Sequence, residues 1–273
     1  MKTVRNIIGC LLFMVIASLA MGASAFSPEQ VRVLTEEATI WGFPVVENYK
    51  LMSIAFDPSA PQHILFNTLY HKTKLNSAKD RLVVTPNNDT LYSIAVLDLA
   101  AEPMILHVPN MEDRYYTFQL VDMMTDNFGY IGTRATGNKE GWYAVTGSGW
   151  KGELPLKIRK AIPCRSRFVQ VLGRTAVNGE ADLPNTVKIQ NEYELIPLSK
   201  FTGTPEPARQ ATDVLAYRHE KAQTLGFFEY LNWLIQYSSL LPHFPPNFLA
   251  ITKRLDYVSY SISYMQQSAF AEF

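Results

Sequence analysis

Short apolar runs separated by turn residues fill the centre of this chain and constrain its fold more than any other feature. From Leu82 onward, runs rich in β-branched and aromatic residues recur about every 8–12 residues. Turn pairs such as Pro109-Asn110 and Gly137-Asn138 separate them. This spacing predicts a mainly β fold with flanking helices (α+β), built on an antiparallel β-sandwich rather than on βαβ units. Strands are predicted at 82–84, 90–98, 103–108, 114–122, 128–132, 141–146, 157–162 and 167–173.

Residues 26–80 are predicted to form an N-terminal region that consists of helices and a long connecting segment. A helix is predicted at its start. Ser27 can cap this helix and Gln30 can complete a capping box. Gly42 and Pro44 are expected to interrupt the helix, which can resume over 45–54.

Helical signals return after the predicted β-sandwich domain, which spans 81–200. Asp182 is predicted to cap a helix over 182–193. Residues 201–213 read as a linker, and 214–273 as a helical tail that is expected to be truncated. In the tail, an apolar face begins at Phe227, and a further helix is predicted from Asn247.

The first 25 residues have the pattern of a signal peptide. Lys2 and Arg5 form a basic start, an apolar stretch follows, and Ala23-Ser24-Ala25 gives a small-residue cleavage site. The apolar stretch is shorter than the ~20 residues that a spanning helix needs. The sequence therefore predicts a periplasmic or secreted protein, cleaved after Ala25, with no stable membrane span after cleavage.

Charge and cysteine content exclude several classes of protein. The 25 Lys and Arg residues balance 25 Asp and Glu residues, so no nucleic-acid partner is predicted. Of two cysteines, only Cys164 lies beyond the predicted signal peptide. An internal disulfide is therefore excluded, and the apolar core must supply the stability.

Several segments together resemble a known family. They run from Thr85 to Ser93, from Arg114 to Asp122 and from Asn127 to Arg134, with support from Leu172-Gly173-Arg174-Thr175 and 179–183. These segments resemble the bacterial domain-of-unknown-function family numbered 1254, over roughly 27–199. The resemblance implies an uncharacterised, exported β-sandwich protein. It also implies a second β-rich domain, numbered 1214, which is missing from this sequence.

Strand-type runs in this chain end repeatedly in polar residues, which are costly to bury unless they are paired. We therefore expect a water-accessible cluster at one margin of the sheet that binds a small polar ligand. The candidate ligand-binding residues are Asn87, Asn88, Asp89, Asp122, Asn127, Tyr130 and Arg134. For Asn87 to Asp89, the alternative is an ordinary turn in which the side chains bond local backbone.

Two carboxylates are candidate catalytic groups. Asp122 or Asp126 is expected to pair with Arg134, either to fix the packing of the sheet or to hold a carboxyl group with a shifted pKa. Glu180 could join Asp122 or Asp89 in a pair of carboxylates suited to glycoside or ester hydrolysis.

No cofactor and no metal are predicted. Gly147-Ser148-Gly149-Trp150-Lys151-Gly152 fits a dinucleotide-binding pattern, but Pro155 follows soon after it where a helix is required. The five histidines show no ligand spacing.

The leading functional hypothesis is a binding module for a small polar molecule or glycan. A hydrolase using Asp122 or Glu180 as general acid or base is one alternative. Another is an assembly subunit, whose apolar tail from Phe227 to Phe273 packs against a second copy of the chain or a separately encoded second domain.

Overall fold

The computed structural model of this chain describes residues 27–60, 62–80, 85–208 and 215–238. The predicted signal peptide, the predicted strand over 82–84 and the predicted helix from Asn247 lie outside the described residues. Most of the predicted tail and the second half of the predicted linker lie outside them too.

The described residues form two sheets packed as a sandwich that is not closed into a barrel. Sheet A has the strand order β1-β2-β8-β4-β5, and sheet B has the order β7-β6-β3-β9. The strands are β1 (Tyr70–His71), β2 (Thr90–Asp98), β3 (Met104–Val108), β4 (Tyr116–Asp122), β5 (Asn127–Gly132), β6 (Gly141–Thr146), β7 (Ile158–Pro163), β8 (Phe168–Ala176) and β9 (Glu194–Pro197). The prediction of a mainly β fold with flanking helices is confirmed.

Alternation along strands such as β4 and β8 places one set of side chains in the core between the sheets. In β4, Tyr116, Phe118 and Leu120 are buried, while Thr117 and Gln119 between them are half-buried. Successive side chains of a strand point to opposite faces, so the first set faces sheet B and the second faces outward. The inward residues join Leu106, Tyr143 and Val145 of sheet B in one apolar cluster.

Seven of the predicted strands fall on described residues, and each matches an observed strand to within about three residues. The two-residue strand β1 is too short to leave a pattern in the sequence. The strand β9 follows a helix and pairs with β3, which no local signal indicates. The pairings are antiparallel as expected, except that β7 pairs with β6 in parallel at one edge of sheet B. The chain from 147 to 157 supplies the crossover that a parallel pair requires.

The helices are α1 (Pro28–Phe56), α2 (Leu183–Gln190), α3 (Leu198–Thr202), α4 (His219–Ala222) and α5 (Gly226–Ile235), with a 3₁₀ turn over Glu180–Asp182. The predicted capping box of Ser27 and Gln30 is present at the start of α1. The expected interruption at Gly42 and Pro44 is wrong, because α1 runs through both residues. Burial of its apolar face offsets the hydrogen bond that Pro44 cannot make.

The helix α5 packs on α1 and, with it, covers one end of the outward face of sheet A. Tyr49 and Phe56 of α1, Leu231 of α5, and Val96 and Phe168 of sheet A belong to one buried cluster. A Cβ atom at Gly42 would lie 2.5 Å from Leu231 Cδ2. Glycine at this position therefore sets how closely the two helices approach.

Asp182 precedes α2 as predicted, but its carboxylate does not cap the helix. It accepts hydrogen bonds from Arg114, at 2.6 and 3.0 Å, and from the backbone N–H of Asn178. The ion pair with Arg114 is worth more than a cap, so the carboxylate joins the start of α2 to the chain before β4.

Among the residues that the structure describes, no helix combines the length and the apolar character needed to cross a bilayer.

Replacing Leu231 with alanine tests whether α5 belongs to the cooperative fold. Leu231 is fully buried, so Leu231→Ala should lower the free energy of unfolding by about 2–5 kcal/mol. The same substitution at Leu156, which is fully exposed, should change it by less than about 0.5 kcal/mol. Urea unfolding followed by circular dichroism measures both, and an equal effect at the two positions would contradict the packing described.

Acid should weaken the contact between the end of α1 and the segment before α4. Arg218 lies 2.8 Å from Asp57 and, with Ser59, lowers the pKa of Asp57 from 3.8 to about 2. The stability that this pair contributes is therefore present above pH 4 and lost as the pH falls toward 2. In Asp57→Asn, the melting temperature should fall less steeply over that range than in the wild type.

The control for this measurement is Asp89→Asn, which removes the same charge from an exposed turn. Identical melting profiles for Asp57→Asn and the wild type at every pH would rule out a contribution from the pair.

Candidate functional site

The turn between β4 and β5 meets the crossover from sheet B to sheet A at an ion-paired cluster. Asp122, the last residue of β4, is fully buried, and its Oδ2 accepts a hydrogen bond of 2.7 Å from Arg165 Nε. Arg165, in the crossover between β7 and β8, also pairs with Asp126. Asp126 is 61% exposed, so the cluster runs from the interior to the surface.

Local hydrogen bonds explain why Asp122 occupies this position. Its Oδ1 accepts from the backbone N–H groups of Met124 and Asp126, at 2.8 and 3.0 Å. The side chain thus closes the turn on itself, as aspartates commonly do. Thr125, inside the turn, has a φ of +71°, a backbone conformation that is uncommon outside glycine.

Three further contacts tie the turn to the rest of the fold. Asn48 of α1 donates a hydrogen bond of 3.0 Å to the carbonyl oxygen of Asp122. The backbone N–H of Met123 donates to Ser166 Oγ, and Ser166 Oγ donates to Ser238 Oγ. The cluster is therefore shared by α1, both sheets and the segment after α5.

Burial and charge act on Asp122 in opposite directions. Loss of hydration disfavours the ionised form and raises the pKa of Asp122, whereas the backbone N–H of Asp126 and the Arg165 guanidinium lower it. Burial is the stronger effect, so the pKa of Asp122 lies above its usual value.

Cys164, next to Arg165, does not act as a reactive thiol in this site. It is buried, and burial raises its pKa to about 12 despite the neighbouring guanidinium. A thiol that stays protonated is a poor nucleophile and metal ligand.

A β-bulge opens a cleft beside this cluster. In the pairing of β4 with β5, Leu120 faces Gly129 and Val121 faces Asn127, so Phe128 is an extra residue. The cleft has a volume of about 350 Å³ and is lined by Asp126, Asn127, Phe128, Pro163 and Arg165.

Glycine at position 129 brings the two sheets together beneath the cleft. A Cβ atom at Gly129 would lie 2.6 Å from Ile162 Cγ2 of β7. The edge strands β5 and β7 can therefore meet directly, which forms the seam where the cleft lies.

The outward face of sheet A continues from the cleft as rows of residues from neighbouring strands. The row at the cleft is Val96, Gln170, Val121 and Asn127; the next is Ile94, Leu172, Gln119 and Tyr130; and the third includes Tyr92, Arg174 and Thr117. Gln119 Nε2 donates to Asn127 Oδ1 at 2.5 Å, and Arg174 Nη1 donates to Gln119 Oε1 at 3.0 Å. One chain of polar contacts thus joins the cleft to the third row.

The segment that carries this site matches a known family. Residues 66–197 match the family model DUF1254, described as a protein of unknown function. The match covers 132 of the 273 residues of the chain. The predicted resemblance to that family is confirmed over these residues, which include the cleft and all the rows of sheet A.

A solved structure is similar in fold to most of this chain. The VPA0106 protein from Vibrio parahaemolyticus is similar at a TM-score of 0.59 and 23% sequence identity, over 84% of this chain. The chain spans 57% of the length of that protein. No curated protein matches the chain.

The residues of the predicted cluster do not lie together in the structure. Asp122 and Asn127 lie at one end of sheet A, whereas Asp89 precedes β2 at the opposite end and Arg134 follows β5 there. At about 3.3 Å per residue, the ends of β4 are about 20 Å apart. The expectation of one shared pocket is therefore wrong, and whether any of these residues binds a ligand stays a prediction.

The expected ion pair of Asp122 or Asp126 with Arg134 is also wrong. Arg165 is the cation, since it contacts both carboxylates, while Arg134 is exposed at the far end of β5. Arg165 lies some 40 residues along the chain from Asp122, and contact between segments so distant in sequence leaves no local pattern.

At the opposite end of sheet A, Asn87 has a structural role. Its Oδ1 accepts from the backbone N–H and the hydroxyl of Thr90, as expected for an ordinary turn, while Asn88 and Asp89 are exposed. Glu180 is exposed in the 3₁₀ turn after β8 at this same end. The expected carboxylate pair of Glu180 with Asp122 is therefore wrong on geometry, whereas the alternative pair of Glu180 with Asp89, at the same end of the sheet, stays a prediction.

The titratable groups of the described ranges do not form a metal centre. Within those ranges, no three His, Cys, Asp or Glu side chains lie close enough together to hold an ion.

Removing the guanidinium of Arg165 should leave a buried carboxylate without its counter-charge. Arg165→Met is expected to lower the free energy of unfolding by about 3–5 kcal/mol at pH 7. The pKa of Asp122 then rises further, so the folded state takes up a proton and the deficit relative to the wild type should shrink as the pH falls from 7 to 5. Urea unfolding at several pH values measures this.

The double variant Asp122→Asn/Arg165→Met should recover part of the loss, because it leaves no buried charge. Arg174→Met is the matched control on the half-buried outward face and should cost about 1 kcal/mol or less. An equal cost for both arginines, with no dependence on pH, would contradict the assignment.

Proposed function

We propose that this chain is a binding module for a small, neutral, polyhydroxylated ligand such as a sugar, held in the cleft between β5 and the end of β7. The composition of the cleft supports this most directly. A carboxylate, a carboxamide and a guanidinium lie beside an aromatic ring and a proline. Its volume of about 350 Å³ falls at the lower end of the range of small-molecule sites.

The charge of the cluster favours a neutral ligand. Asp122 and Asp126 both pair with Arg165, so two negative groups face one positive group. An anionic ligand would be repelled by Asp126, which is the exposed member. A neutral ligand avoids that repulsion and can still form hydrogen bonds.

The polar groups of the cleft match the hydroxyl groups of such a ligand. Asp126 is exposed and can accept a hydrogen bond from a ligand O–H. Asn127 is exposed and accepts from Gln119 through its amide oxygen, which leaves its two amide N–H groups for a ligand oxygen. Donors and acceptors are thus adjacent, as a hydroxyl group requires.

The apolar part of the cleft suits the C–H face of a sugar ring. Phe128, which the bulge turns toward the seam, and Pro163 provide apolar surface next to the polar groups. An aromatic ring in a partly wet site offers a large contact area with little loss of side-chain freedom.

A hydrolase finds less support in this arrangement. Hydrolysis by paired carboxylates needs two of them, about 5–10 Å apart, on either side of the bond that is cleaved. Asp122 is fully buried and held by Arg165, and Glu180 lies at the opposite end of sheet A. Among the described residues that line the cleft, Asp126 alone is a carboxylate.

The assembly-subunit alternative depends on the tail, most of which lies outside the described residues. The apolar face of its described part is already covered within the chain, since four of its residues are buried and pack with α1: Phe227, Tyr230, Leu231 and Leu234. Assembly through the remainder of the tail stays a prediction.

Calorimetric titration of the purified protein with glucose, galactose, mannose and glucuronate tests the proposal. At least one neutral sugar should bind, and glucuronate should bind more weakly because of its carboxylate. Asn127→Ala should weaken the binding about tenfold, the effect of losing one or two hydrogen bonds. Phe128→Ala should weaken it further.

Asn110→Ala is the matched control, since Asn110 is also exposed and lies outside the cleft. Stronger binding of glucuronate than of the neutral sugars would contradict the proposed ligand class. So would equal binding by Asn127→Ala, Asn110→Ala and the wild type.

A further inference from the structure

We infer that the ligand is an oligosaccharide, whose first unit occupies the cleft and whose following units cross the outward face of sheet A. The inference rests on the proposed function and extends it from one sugar unit to a chain. The face consists of the two rows beyond the cleft, which carry Gln119, Tyr130, Arg174 and Tyr92.

Tyr130 is the aromatic residue best placed for the second unit. It is 43% exposed, and it lies in the row next to Asn127, about 7 Å from it along the strand. A tyrosine this exposed on an edge strand gains little from the protein core. Its ring can pack against a sugar, and its hydroxyl can bond to a sugar oxygen.

The polar side chains of the face are held in place before any ligand binds. Asn127 bonds to Gln119, Gln119 bonds to Arg174, and the Arg174 guanidinium lies 5.6 Å from the ring centre of Tyr92. The Tyr92 hydroxyl in turn accepts from the backbone N–H of Asn87. Preorganised groups lose less freedom on binding, which favours recognition by hydrogen bonds.

The remaining bonding capacity of these groups suits hydroxyl groups. An arginine has five N–H donors, and Arg174 uses one of them in its bond to Gln119. Thr117, beside Arg174 in the same row, adds a hydroxyl that both donates and accepts. A chain of hydroxylated rings meets such groups at each step.

Other occupants fit this face less well. In the described rows, Arg174 is the one cation, whereas a nucleic-acid strand needs several to neutralise its phosphates. The apolar residues Ile94 and Leu172 are half-buried, and Leu172 adjoins Gln119 in its row and Gln170 and Arg174 along β8, so polar side chains interrupt the apolar surface that a helix would need. A neutral oligosaccharide requires neither several cations nor a continuous apolar groove.

The dimensions of the face predict a dependence on ligand length. From Asn127 to Arg174 the path crosses two strand spacings and two rows, which amounts to about 16 Å. A single sugar ring in the cleft cannot reach Arg174. Affinity should therefore rise from mono- to trisaccharide and then level off.

Titration with glucose, cellobiose, cellotriose and cellotetraose, and with the matching maltose series, tests the inference. We expect a trisaccharide of one series to bind at least tenfold more tightly than glucose. Tyr130→Ala should abolish most of that gain and leave the dissociation constant of glucose unchanged. Arg174→Met should remove the gain between di- and trisaccharide.

Phe43→Ala is the matched control, because Phe43 is an aromatic residue that is 57% exposed but lies on α1, outside the cleft and the rows of sheet A. It should change neither constant. If glucose binds but affinity stays flat across both series, the oligosaccharide inference is overturned while the proposed function stands. If Tyr130→Ala weakens glucose and trisaccharide equally, the face is not a separate subsite and the inference also fails. Absence of binding by glucose, galactose and mannose would overturn the proposed function itself.

Discussion

The contact between Asp122 and Arg165 is the interaction on which the rest of this structure depends. The two side chains join the end of β4 in sheet A to the crossover that arrives from sheet B. A fully buried carboxylate is tolerated only when it is paired, so the crossover must pass beside the turn. The helix α1 is fixed to the same point, since Asn48 donates to the carbonyl oxygen of Asp122. One charge pair thus sets the relative position of both sheets and α1.

The same turn shapes the surface beside it. After the turn that Asp122 closes, the register between β4 and β5 shifts by one residue, and Phe128 is the extra residue of this β-bulge. Asp126 and Arg165 extend the pair from the interior to the surface, where they border the cleft. The same side chains therefore have two roles, because Asp126 and Arg165 belong to the ion-paired cluster that joins the sheets and also line the cleft.

Much of the fold could be predicted from the sequence, because turn residues separate its short apolar runs and some strands alternate between buried and half-buried residues. In β4 and β8 that alternation is clear, and it is a local property of the order of residues. The continuity of α1 through Pro44 could not be predicted, since it depends on burial against α5, nearly 200 residues later. The candidate site was predicted in part. Asp122, Asn127 and Tyr130 lie at or near the cleft, but nothing in the sequence around Arg165 indicates that it contacts Asp122 and Asp126.

The lack of a side chain at Gly129 sets the distance between the two sheets at the cleft. Because no methyl group stands between β5 and Ile162, the two sheets are in contact beneath the cleft. A larger residue at position 129 would push β5 and β7 apart and deepen the cleft. Relatives with another residue at this position would therefore have a cleft of a different width on the same fold.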